Sequence, residues 1–543
     1  MEEGKNLGIV VSGSLTKGLE VRLDATTSVE DIAIGSYVTI EGKAHRFFGM
    51  ITDISLEATD NEIANNPPDI SNPFIAEVIA GTATYGELHV LPMLTIGGAT
   101  EILEGPQPVK SLPAHFSKVK QSSPRDIELV FGKEDERQFW VGTPLDMETK
   151  ICLNLNEFVK RSNGIFGKSG TGKTFLTRLL LIGILQKRQA VSLVFDMHNE
   201  YGWEGGSEKG YKVKGLKQLF PSQVAIFSLD EEGSRRRRVS TDFVVRIGYD
   251  EIEPEDIQLL RQTLNLTDAS IQAAYQLAQE FGDRHWLQRT FGIKDKEETK
   301  ELISRLNIHE STYRNLRRGL ETLRRLPFLV PQSPDNPVKR ILEYLDRGIN
   351  VILEFGRYAD ITAYILVSNL LTRRIYDQYR ERTEKAIGED TALPRSLVIT
   401  IEEAHRFLNP ELSNQTIFGI IAREMRKYYV TLLIVDQRPS GIDNEVMSQL
   451  GTKIAYLLDN DEDINSVLSG TPGKSELKTV LSKLETRQQS LVFGHAVPMP
   501  VPIKVREYGT DYKQFGPGTT TRSTEPGEGA VKQSQEAEDL WAD

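Results

Sequence analysis

The chain has 543 residues, enough for two or three domains, and its 39% hydrophobic and 26% charged residues are those of an ordinary globular protein. One cysteine, Cys152, excludes a disulfide scaffold and a multi-cysteine zinc site and fits a reducing, cytoplasmic setting. The net charge of -12 weighs against a broad nucleic-acid-coating surface but is compatible with a narrow channel lined by a few basic residues.

The N-terminal MEEGKN is acidic and polar and no apolar stretch of signal-peptide type follows it. No run approaches the roughly 20 apolar residues of a membrane span, so no membrane association is expected. Residues 1–115 read as all-β. Short alternating segments recur at Leu7–Val11, Leu19–Leu23, Tyr37–Ile40, Phe47–Ile54, Phe74–Ala80 and Glu87–Leu94, separated by Gly and Asn/Asp/Pro clusters, which suggests a small barrel. Residues 116–150 read as a linker with one or two strands of its own.

From 151 to 510 the pattern changes to α/β. The strands Val191–Phe195, Val224–Leu229, Val351–Phe355, Leu397–Ile401, Leu432–Val435 and Ile454–Leu458 are continuous apolar runs, as in a sheet covered on both faces. Residues 250–348, opened by Pro254-Glu255-Asp256, interrupt the alternation with amphipathic segments and read as a helical insertion. The tail 511–543 is acidic and rich in Gly, Ser, Thr, Pro and Glu, a disordered composition.

Gly167-Lys168-Ser169-Gly170-Thr171-Gly172-Lys173-Thr174 matches G-x-x-x-x-G-K-[ST] in full. Its glycines let backbone N–H groups curl around phosphate oxygens, Lys173 reaches the β- and γ-phosphates of ATP, and the Thr174 hydroxyl ligates Mg²⁺. A short strand, Gly164-Ile165-Phe166, precedes the loop. An apolar helix follows it, and a helix N-terminus favours an anion. Leu397–Ile401 ends in Glu402-Glu403, where Glu402 is expected to hold the Mg²⁺ shell and Glu403 to act as general base. Asp196, at the end of the strand after the phosphate loop, either binds a Mg²⁺ water or caps a loop. Gln437, at the tip of another buried strand, is read as a sensor of the γ-phosphate or attacking water. Arg161, Arg423 and Arg426 are candidates for the arginine that stabilises transition-state charge, each equally readable as a surface ion pair. Arg235–Arg238 is placed in a hairpin loop, either as a solvated turn balanced by Asp230-Glu231-Glu232 or as a DNA backbone contact.

Taken in order, several motifs resemble the HerA family, hexameric DNA translocases of the FtsK/HerA branch of P-loop ATPases. They are the phosphate loop, Asp196-Met197-His198-Asn199-Glu200-Tyr201, Glu402-Glu403-Ala404-His405, Ala422-Arg423-Glu424-Met425-Arg426-Lys427-Tyr428, Gln437-Arg438-Pro439-Ser440 and Phe493–Pro502. The N-terminal β region is similar to the barrel, of the HAS type, that precedes the ATPase there. The chain departs from the family at Asn199 and Met425, where Gly is frequent, and at Glu402, where Asp is usual. The resemblance implies a RecA-like ATPase core with a helical insertion behind a small β-barrel. It also implies a homohexamer, ATP with Mg²⁺ between subunits, and double-stranded DNA in the central channel. A partner nuclease of NurA type, or a nuclease or sirtuin-like NADase effector in antiviral defence, would dock on the barrel face. Two functions follow from this: an ATP-driven DNA translocase or helicase, and a ring scaffold whose ATP state controls a defence effector with little unwinding.

Overall fold

The computed structural model describes residues 4–509, apart from parts of 61–82 and residues 97–104, 207–211, 425–426 and 486–487. The acidic tail 511–543 and Arg426 lie outside the described residues. Seven strands build the first sheet: β1 (Asn6–Ser14), β2 (Gly18–Leu23), β3 (Tyr37–Glu41), β4 (Arg46–Ala58), β5 (Thr84–Ile96), β6 (Gln107–Pro108) and β7 (Lys118–Gln121). Their order is β2-β1-β7-β3-β4-β5-β6, and β2 also pairs with β5, which closes six strands into a barrel and leaves β6 as an appendage. Closure removes the free strand edges that would otherwise pair with other chains.

The barrel carries its own small core, in which Val21, Val38, Ile51, Leu88 and Val119 face inward. Tyr37, Phe48 and Met50 turn the other way and join the main core of the molecule. There Tyr37 stacks on Phe48 at 5.3 Å, and both rings meet Phe131 of the helix Pro124–Phe131. The segment Phe74–Ala80, expected as a strand, is helical at its described residues Phe74, Val78 and Ile79. Phe74 and Val78 are exposed there. A single apolar run carries no partner information, and the pairing places beside β4 were already filled by β3 and β5.

The second sheet takes β8 (Gln138–Thr143), β9 (Ile151–Asn154), β10 (Asn163–Phe166) and β11 (Val191–Asp196). A two-residue ribbon, β12 (Gly205–Gly206) with β13 (Lys212–Val213), stands apart. The sheet continues with β14 (Val224–Ser228) and β15 (Phe243–Val244). Then β16 (Ile247–Gly248) pairs with β17 (Leu329–Val330), and the chain returns through β18 (Asn350–Glu354), β19 (Leu397–Glu402), β20 (Val430–Asp436), β21 (Thr452–Ala455), β22 (Gln489–Gly494) and β23 (Val501–Val505). The order is β15-β14-β18-β11-β19-β20-β10-β21-β22-β23-β8-β9. Every pairing from β15 through β21 is parallel, and those from β21 to β9 are antiparallel.

The stretch 116–150, expected as a linker, is thus divided between the two sheets. β7 fills the gap between β1 and β3, and β8 joins the far edge of the large sheet. Within 250–348, where the sequence predicts a helical insertion, helices run from Pro254 to Arg324 and from Pro337 to Asp346, and β17 between them pairs with β16. Among the described residues no helix is long and apolar enough to cross a membrane.

Candidate nucleotide site

Parallel pairing brings the C-terminal ends of β10, β20, β19, β11 and β18 to one edge of the sheet, and each ends in a polar residue or in the phosphate loop. The strands are buried throughout, and their carboxylates, Asp196, Glu354, Glu402 and Asp436, all stand at the C-terminal tips. Residues 167–174 leave β10 at Phe166, which lies in register with Asp436 of β20. Gly167 N–H donates to the Asp436 carbonyl at 3.3 Å and Lys168 N–H to that of Leu457 at 3.3 Å, which pins the base of the loop. A Cβ on Gly167 would lie 2.6 Å from Cβ of Tyr456, so only glycine fits. Thr171 Oγ1 donates to the Lys168 carbonyl at 2.9 Å, while Ser169 and Gly170 stand exposed at the loop's tip.

The helix Lys173–Gln186 starts at Gly172, with φ 102°, and no side chain caps its first N–H groups. Those donors are therefore available to an anion at the positive end of the helix. The buried side chains from Leu176 to Leu185 hold the helix in the core. Lys173 Nζ donates to the carbonyls of Gly167 at 2.6 Å and Lys168 at 2.9 Å, so the ammonium lies over the loop. Burial lowers its pKa, and Asp436, Glu403, Glu402 and Glu200 oppose that with their negative charge. Lys168 forms an ion pair with Asp459 at 3.0 Å.

Glu402 ends β19, one strand further from the loop than β20. Its Oε1 accepts the Tyr201 hydroxyl at 2.9 Å, and its Oε2 is buried without a hydrogen-bond partner. Burial, with Asp196 and Glu200 nearby, pushes its carboxyl up to about 8. Such a group gains strongly from a cation, and its open oxygen fits one. Among the described residues no three His, Cys, Asp or Glu side chains converge to hold a metal unaided.

Glu403 follows in the left-handed region, with φ 50°. That reversal turns its side chain away from the course of β19, and Gln437 Nε2 donates to its Oε1 at 3.3 Å. His405 lies behind this pair. Its backbone N–H donates to Asp436 at 2.7 Å, its Nδ1 is 3.0 Å from Asp436, and its Nε2 is 3.7 Å from Glu403. The buried Asp436 also accepts from Arg438 N–H at 2.6 Å. The arrangement holds one carboxylate, Glu403, beside an amide that can share a water with it.

Asp196 has both oxygens engaged by backbone, accepting from Glu200 N–H at 2.8 Å and Tyr201 N–H at 2.9 Å. Of its two readings, the loop cap is the one whose hydrogen bonds are present. Glu200, to which the sequence assigned no role, accepts the Thr174 hydroxyl at 2.9 Å. Asp436 and His405 were likewise missed. A strand-terminal Asp next to Gln437 was a signal for the first, but neither partner could be read from sequence separation.

The two described candidate arginines, Arg161 and Arg423, do not reach the loop. Arg161 precedes β10 and packs against Gly451, which precedes β21, at the end of these strands away from residues 167–174. Arg423 donates to Ser413 at 3.0 and 3.1 Å and to Glu445 at 3.2 Å. Arg235–Arg238 do not lie in a hairpin loop: Glu231–Arg237 is a helix, capped by Asp230, and Arg238 ends it in the left-handed region. Acids in the first turn and arginines in the last match the helix dipole, a pattern present in the sequence. Arg235 pairs with Glu231 and Arg237 with Glu354.

Residues 139–375 match the family described as Helicase HerA, central domain, and residues 7–101 match the HAS barrel domain. Among curated relatives, the DNA double-strand break repair helicase HerA of Sulfurisphaera tokodaii is 23% identical, over 92% of this chain and 93% of the relative. The protein of the same name from Saccharolobus solfataricus is 22% identical, over 87% of this chain and 88% of the relative. A solved structure of VirB4 of Thermoanaerobacter pseudethanolicus aligns with a TM-score of 0.44 at 12% identity, covering 69% of this chain and 98% of that one.

Proposed function

We propose that this chain, which is similar to HerA helicases in its central domain and to the HAS barrel at its N-terminus, is an ATP-driven motor that moves along or unwinds double-stranded DNA as a homohexameric ring. The observation that carries this reading is the opposition of two sets of groups on one sheet edge. Lys173, Thr174 and the uncapped helix N-terminus form a phosphate cradle. Glu402, Glu403 and Gln437 supply the acids and the amide that hydrolysis requires. Bound Mg²⁺ would neutralise charge between the β- and γ-phosphates. Thr174 and Glu402 are the residues that would hold it. Lys173 exchanges loop carbonyls for phosphate oxygens. Glu403 takes the proton of the attacking water, and Gln437 orients that water against it.

The transition-state arginine is assigned to a neighbouring copy of the chain, because neither Arg161 nor Arg423 reaches the phosphate loop of its own subunit. The relatives' printed names are those of double-strand break repair helicases, which supports the DNA-motor reading, here with a partner nuclease proposed for the cutting, over the alternative of a ring scaffold for a defence effector. The barrel, lying on the main core through Tyr37, Phe48 and Phe131, is the surface proposed for that partner.

Steady-state ATP hydrolysis by the purified chain, with and without linear duplex DNA at low salt, tests the reading. Strong stimulation that disappears in Glu403→Gln is expected. Hydrolysis indifferent to DNA would favour the scaffold.

A further inference from the structure

Glu200 sits where the chain reverses after β11, and that reversal is tightly built. Asp196 accepts the backbone N–H groups of both Glu200 and Tyr201. Asn199 adopts φ 57°, and its amide oxygen accepts Gly356 N–H at 3.2 Å, which ties the turn to the tip of β18. The turn sends two consecutive side chains to the nucleotide site. Glu200 Oε2 accepts the Thr174 hydroxyl at 2.9 Å, and the Tyr201 hydroxyl donates to Glu402 Oε1 at 2.9 Å. Independently, Glu402 Oε2 is buried and without a partner. Thr174 and Glu402 are the two groups the proposed function gives to Mg²⁺, and adjacent residues of one turn hold both.

The geometry points to Glu200 as a positioning residue for the Mg²⁺ of the bound nucleotide: it orients the Thr174 hydroxyl and accepts a hydrogen bond from a metal-bound water. Tyr201 sets Glu402 for the same ion, and Asp196 acts only through the turn it closes. A carboxylate suits this role because a metal-bound water is a strengthened donor. Ligand-orienting neighbours of this kind typically change metal affinity by roughly 10- to 100-fold. The inference rests on the nucleotide-site reading above.

The test is equilibrium binding of trinitrophenyl-ATP to the full chain, titrated with Mg²⁺ and repeated in EDTA, with thermal melting to verify folding. Glu200→Gln keeps an acceptor for Thr174 but loses the charge. It is expected to bind the analogue in EDTA as the wild type does, and to need roughly 10-fold more Mg²⁺ for the half-maximal response. Glu200→Asp is expected to fall between the two. Should Glu200→Gln melt early, Tyr201→Phe gives a second measure, because it removes only the donor to Glu402 and should also raise the Mg²⁺ requirement. An unchanged Mg²⁺ requirement, or equal weakening with and without Mg²⁺, would overturn the inference. If Lys173→Ala loses binding while Glu200→Gln matches the wild type, this inference alone fails. If Lys173→Ala binds normally, the nucleotide-site reading fails with it.

Discussion

The barrel and the large sheet place their polar residues differently. Along β5 of the barrel, buried and part-buried positions alternate from Glu87 to Leu94, so the polar Glu87 and His89 lie along the strand on its outer face rather than at its tip. In β10, β11, β18, β19 and β20 every residue is buried. The carboxylates there, Asp196, Glu354, Glu402 and Asp436, stand at the C-terminal strand ends, and parallel pairing puts all those ends on one edge. A barrel can change its outer residues one at a time, whereas the parallel sheet gathers carboxylates whose charges act on each other. Lys173, Glu402 and Glu354 feel those charges.

If the chemistry resides only at the strand ends, the largest effect belongs to Lys173→Ala. Turnover should fall by roughly 100-fold or more as phosphate charge loses its counterpart, measured by ATP hydrolysis and nucleotide binding together. Wild-type turnover in that variant would break the comparison outright. Glu403→Gln sharpens it: nucleotide should still bind, while hydrolysis falls by about 100-fold or more, the usual contribution of a general base. Loss of binding would show that the two acids had been assigned the wrong way round.

In the barrel the expected cost is stability. Leu88 is fully buried in the small core, and Leu88→Ala should destabilise the fold by about 2–5 kcal/mol. Turnover per folded molecule should be unchanged. A melt followed by activity at low temperature separates the two, and a turnover defect in fully folded protein would tie the barrel to the chemistry.

The smallest effect is a pH dependence at the tip of β18. Burial raises the Glu354 carboxyl to about 7, with Arg237 opposing the shift and Asp196 adding to it. The folded chain holds this proton more tightly than the unfolded one. The associated stability is therefore full below the ordinary carboxyl range and is lost as pH rises through about 7. Relative to Glu354→Gln, the wild type should melt progressively earlier between about pH 5 and 8. Parallel melting curves across that range would mean that Arg237 keeps Glu354 charged throughout.

Much of this is legible in the sequence. The strands 191–195, 224–229, 351–355 and 397–401 were readable because a sheet covered on both faces requires unbroken apolar runs, and the phosphate loop because its spacing is dictated by the shape of phosphate. The expected strand at Phe74–Ala80 and the hairpin at Arg235–Arg238 were corrected. Local composition there allows more than one element, and neighbouring strands or the helix dipole decide between them.

The sequence by itself determined the two architectures, the cradle at 167–174 and the acidic pair at 402–403, since each is written in contiguous residues. Only the tertiary structure decided that β7 closes the barrel, that Asp196 caps a turn, and that Glu200 meets Thr174 across 26 positions of chain. Hydrogen bonds between distant residues are fixed by the order of strands in a sheet, and that order comes from the packing of the whole core.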